Sequence, residues 1–80
     1  MDDGEILRQI GRLADEEREL EGSHVGDGLS DAELGRLRSI QVSLDQCWDL
    51  LRQREARRDA GQDPDSVRVR SEGVVEGYQQ

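Results

Sequence analysis

The sequence predicts an all-α fold: an antiparallel two-helix hairpin with coiled-coil-like spacing and an extended C-terminal tail. Three observations carry this. The same helix-start punctuation occurs twice, at residues 2–5 and 30–33. Apolar residues then recur at steps of three and four. Between the two stretches lies GSHVGDGL (22–29), with three glycines in eight residues. Glycine at that density ends helices and permits left-handed turns.

The first helix is expected over 3–21. Asp2 and Glu5 have capping-box spacing, flanked by Met1 and Ile6 at the hydrophobic-staple positions. Positions 3, 6, 10, 13, 17 and 20 form one stripe, and Ile6, Ile10, Leu13 and Leu20 make four of them apolar. The second helix is expected over 31–60. Ser30 and Glu33 form the clearer capping box, with Leu29 and Leu34 as its staple. Gly61 can close this helix and Pro64 cannot continue it.

In the second helix the stripe reads 34, 37, 41, 44, 48 and 51, with Leu34, Leu37, Leu44, Trp48 and Leu51 apolar. Folding back at the glycines pairs 20 with 34, 17 with 37, 13 with 41, 10 with 44, 6 with 48 and 3 with 51. Every layer then holds at least one apolar side chain. Arg52 to Asp59 should project beyond the first helix. Leu7, Ala14, Ile40 and Cys47 fall beside this seam, which makes the apolar stripe wider than two helices need. Either the tail covers the surplus, or a second chain does; a dimer would close into a four-helix bundle. Residues 1–60 thus form the hairpin and 61–80 an extended or mobile tail, in which VRVR (67–70) alternates without an obvious strand partner.

Composition narrows the function classes. Eighty residues allow one small domain, with 32% hydrophobic and 38% charged residues and no Phe. So small a core usually needs a disulfide, a metal or a partner. One Cys makes no internal disulfide, and one Cys with one His makes no ordinary structural zinc site. Association is the remaining means. The net charge of −8 argues against nonspecific nucleic-acid or anionic-membrane binding. No apolar run reaches membrane-spanning length, and the opening MDDGE is acidic where a signal peptide is basic. These features fit a protein of a reducing cytoplasm.

The candidate sites are few. Cys47 lies between Asp45 and Asp49, which oppose thiolate formation, so it reads as structural. Asp45 and Asp49 read as part of an ion-pair ladder with Arg38 and Arg52. His24 has no second ligand nearby and reads as a solvated loop residue. Arg52, Arg54, Arg57 and Arg58 form the most basic patch, diluted by Glu55 and Asp59 and without interleaved aromatics. No nucleophile–base pair, cofactor motif or metal set is recognisable.

LDQCWDLLRQREARR (44–58), the DP of QDPD (62–65) and the terminal VVEGYQQ (74–80) resemble small actinobacterial proteins grouped as domain of unknown function 2630. The resemblance runs from EIL (5–7) to the C-terminus. It implies a two-helix unit with a short tail, and no reaction or ligand. This sequence has Glu55 where the family is often basic, and Ser71 where a Pro is common. The expected function is a non-enzymatic interaction module binding itself or a protein partner through Leu7, Ile40, Cys47, Trp48, Arg52, Arg54, Arg57 and Arg58. The alternative is an anion, nucleotide or nucleic-acid binding regulator that uses the four arginines.

Overall fold

The computed structural model describes residues 1–22 and 28–77. His24 lies outside them. Helix α1 spans Asp3–Gly22 and helix α2 spans Asp31–Asp59. A 3₁₀ turn follows at Pro64–Ser66, then a short helix α3 at Glu72–Gly77. No strand occurs among the described residues, so VRVR does not pair as one. The chain folds into a flat slab of 51 × 26 × 16 Å.

The helix starts follow from their caps. The Ser30 hydroxyl accepts from the Glu33 amide at 3.2 Å, and the Ser30 amide donates to the Glu33 carboxylate at 3.0 Å. At α1 the Glu5 amide donates to Asp2 at 2.8 Å, and the Asp2 amide donates to Glu5 at 3.3 Å. Each box satisfies two backbone donors that the helix start would leave unpaired. The accepted backbone bond holds the Asp2 carboxyl below its ordinary range.

Helix α2 ends in a Schellman motif. Gly61 is left-handed at φ +72°, the Gln62 amide donates to the Arg57 carbonyl at 2.7 Å, and the Gly61 amide to that of Arg58 at 3.0 Å. The Asp63 side chain then accepts from the Asp65 amide at 2.9 Å, and Pro64 opens the 3₁₀ turn. These devices turn the chain sharply back along α2.

Helices α1 and α2 lie antiparallel, and α2 is the hub: α1, the 3₁₀ turn and α3 all pack on it. The core joins Ile6 and Ile10 of α1 to Cys47 and Leu50 of α2, with Leu13, Leu44, Leu51 and Val67 packed around them. Ile40 and Val75 are also fully buried. The stripe expected on α1 is the one observed.

The stripe expected on α2 is not. Positions 33, 36, 40, 43, 47, 50 and 54 include Ile40, Cys47, Leu50 and Arg54, all buried, while Leu34 and Trp48 are about half exposed. The axial register is close to the expected one: Arg36 meets Glu16, and Arg54 meets Asp3. The rotation differs by part of a turn, since Leu44 and Leu51 of the expected stripe still pack at the edge of the core. The rotation observed places Arg54, buried, against Asp3 and Arg36, half exposed, against Glu16.

The expected overhang is corrected too. Arg54 folds inward, and Arg58 bonds Asp3 at 2.8 Å, so the end of α2 is engaged by the start of α1 and by the tail. The tail is not an extended strap throughout, since it carries the 3₁₀ turn and α3. Gln53 and Gln46 hold it along α2, donating to the Arg68 carbonyl at 3.1 Å and the Arg70 carbonyl at 3.2 Å.

Candidate functional site

Arg54 is buried at the far end of the hairpin. Its Nε donates to Asp3 at 2.6 Å; its Nη1 donates to Asp65 at 2.7 Å and to the Pro64 carbonyl at 3.2 Å. One planar guanidinium thus ties together α1, α2 and the tail, a geometry Lys would not reproduce. Asp65 and then Asp3 raise the Arg54 pKa, and Arg54 and then Arg58 hold the Asp3 carboxyl below its ordinary range. Arg57 donates to the Gln62 side chain at 2.8 Å. Arg52 is exposed on another side of α2 and has no hydrogen-bond or ion-pair partner among the described residues. The four arginines therefore do not converge on one cradle; three of them close the fold.

Cys47 and Ile40, expected beside the seam and available to a partner, are inside it. Burial pushes the Cys47 thiol up. A small cleft of about 140 Å³ reaches Cys47 between α1, α2 and the tail, lined also by Ile6, Gln9, Ser43, Leu50 and Val69. It is below the roughly 300 Å³ at which small-molecule sites begin.

Asp49 is buried without the expected Arg52 ladder. It accepts from Gln53 at 2.9 Å and pairs with Arg70 of the tail at 3.4 Å. Asp45 beside Glu76 of α3, with burial and nearby Glu72, raises the Glu76 pKa, while Arg38 opposes the shift.

What remains open is the face of α2 that sequence reasoning placed in the seam. Trp48 is 45% exposed and Leu34 50%, while Leu37, Leu44 and Leu51 are partly buried. Leu7 of α1, 51% exposed, follows the core residue Ile6 as Trp48 follows Cys47. In two right-handed helices packed antiparallel, the residue after a core position falls on the same side of the pair in both. The tail around Val69 lies on the opposite side, where Gln9, Ser43 and Gln46 line the cleft with it, while α3 sits along the far flank of α2 by Arg38, Gln41 and Asp45. Leu7, Leu34 and Trp48 thus stand exposed on one side of the hairpin, with Leu37 half-buried between them and Leu44 and Leu51 bridging from that side into the core. Sequence reasoning found Leu7 and Trp48 as partner-facing residues. It missed the four leucines because their spacing had already assigned them to the hairpin.

A family model described as "Protein of unknown function (DUF2630)" matches residues 2–80. Uncharacterised proteins of Mycobacterium tuberculosis and Mycobacterium bovis are each 47% identical over 77 residues, covering 95% of this chain and 88% of the relative. No solved structure matches. No helix among the described residues is long and apolar enough to cross a membrane.

Proposed function

This chain belongs to the DUF2630 family of proteins of unknown function, and we propose that it is a non-enzymatic interaction module whose α2 face docks on a protein. One observation carries the reading. The most apolar stripe of the longest helix is only half covered: Leu44 and Leu51 reach the hairpin core, while Leu34 and the chain's only Trp stand about half exposed. A half-exposed Trp is among the residue types most enriched at binding hot spots. A contiguous apolar face marks an interaction site more often than a solvent surface. The non-enzymatic part rests on the commitment of the reactive groups: the thiol is buried, and Asp3, Glu16 and Asp49 are bound by arginines.

The alternative, an anion or nucleic-acid cradle from Arg52, Arg54, Arg57 and Arg58, draws less support, because Arg54 and Arg58 already hold Asp3. A photo-crosslinking residue in place of Leu34, compared with one in place of exposed Arg12, tests the docking role in the producing cells. Adducts from position 34 and none from position 12 are expected. Equal yields, or none from either, would refute it.

A further inference from the structure

We propose, resting on the reading of that face as a protein-docking surface, that its occupant is a second copy of this chain, with α2 antiparallel to α2 about a two-fold axis passing between Val42 and Ser43. Two observations carry this.

The first is the apolar register. About this axis Leu34 meets the partner's Leu51, Leu37 meets the partner's Trp48, and Gln41 meets the partner's Leu44. Each layer has an apolar side chain from both copies except the two central ones, where Gln41 of one copy lies against Leu44 of the other. One polar residue in such a seam is a known means of fixing register.

The second is charge. On the flank of this stripe away from α1 stand Asp31, Arg38, Asp45 and Arg52, seven residues apart and alternating in sign. In an antiparallel pair this flank meets its own counterpart. The axis that aligns the apolar layers also sets Asp31 against the partner's Arg52 and Arg38 against the partner's Asp45, so all four contacts join opposite charges. A slip of one heptad sets Arg38 against the partner's Arg38 in one direction and against the partner's Arg52 in the other. The pattern therefore favours one register and penalises its neighbours, which is how charged flanks select partners. It also brings the partner's Arg38 to the carboxylates Asp45, Glu72 and Glu76, beside this chain's own Arg38.

The test is sedimentation over a concentration series with a charge exchange. One variant carries Arg38→Asp and Arg52→Asp; the other carries Asp31→Arg and Asp45→Arg. The wild type is expected to dimerise. Each variant alone should stay monomeric where the wild type is dimeric, with its helical circular dichroism intact, and an equimolar mixture should restore a 1:1 dimer. If either pair fails to fold, the single exchanges Arg38→Asp and Asp45→Arg take its place. Trp48→Ala should weaken the wild-type dimer more than about 30-fold. Variants that self-associate like the wild type, or folded variants that stay apart when mixed, would overturn the proposal. A wild type that stays monomeric while position 34 crosslinks to a different protein would also overturn it, and would leave the docking role standing. Loss of adducts from position 34 would remove both.

Discussion

Ile6 and Leu7 are adjacent in sequence and opposite in environment: Ile6 is 0% exposed and Leu7 is 51% exposed. Ile6→Ala removes three carbons from the centre of the core, against Cys47 and Leu50. At about 0.8 kcal/mol per buried methylene the transfer loss is roughly 2.4 kcal/mol. The cavity left between two helices brings the total to about 3–4 kcal/mol. A domain of this size has only about 4–12 kcal/mol of stability, so the loss is a large share of the whole. Leu7→Ala gives up at most about half the transfer value and leaves no enclosed cavity, so it should cost about 1 kcal/mol or less. Urea unfolding followed at 222 nm, at one low protein concentration, separates the two. The melting temperature should fall by about 12–32 °C for Ile6→Ala. Equal losses for both variants would refute the core register described above, and a larger loss for Leu7→Ala would invert it.

Two further outcomes follow from the ionisable groups. Asp3 is held below its ordinary carboxyl range by Arg54 and Arg58, so its pairing stabilises the fold above the unfolded value of 3.8 and is lost as pH falls through the lower folded value. Asp3→Asn should therefore destabilise the protein at neutral pH and match the wild type in strong acid; urea midpoints that differ equally at both pH values would contradict this. Cys47 is buried and its thiol is pushed up, so iodoacetamide near neutral pH should modify it more slowly than a free cysteine, with full reactivity recovered in urea. Mass spectrometry of the two samples distinguishes the cases, and equal rates would show that the thiol is open to solvent.

The helices and their ends were legible in the sequence because the forces that set them are local. Both capping boxes lie within four residues, and the stop of α2 needs only Gly61 and the Pro64 that follows. The hairpin follows from two helices joined by a glycine-rich stretch, and the stripe of α1 from having a single apolar face. The face α2 turns to α1 was a different matter. Its periodicity offers two stripes one residue apart, and counting apolar residues favours Leu34, Leu37, Leu44, Trp48 and Leu51. The tertiary structure turned Ile40, Cys47, Leu50 and Arg54 inward instead, with Leu44 and Leu51 at the edge of the core. The Arg54–Asp3 bond spans 51 residues, and its second carboxylate, Asp65, arrives only when the tail turns back. No local pattern encodes that coincidence. The same long-range choice decided the candidate site, since it left Leu34 and Trp48 facing outward.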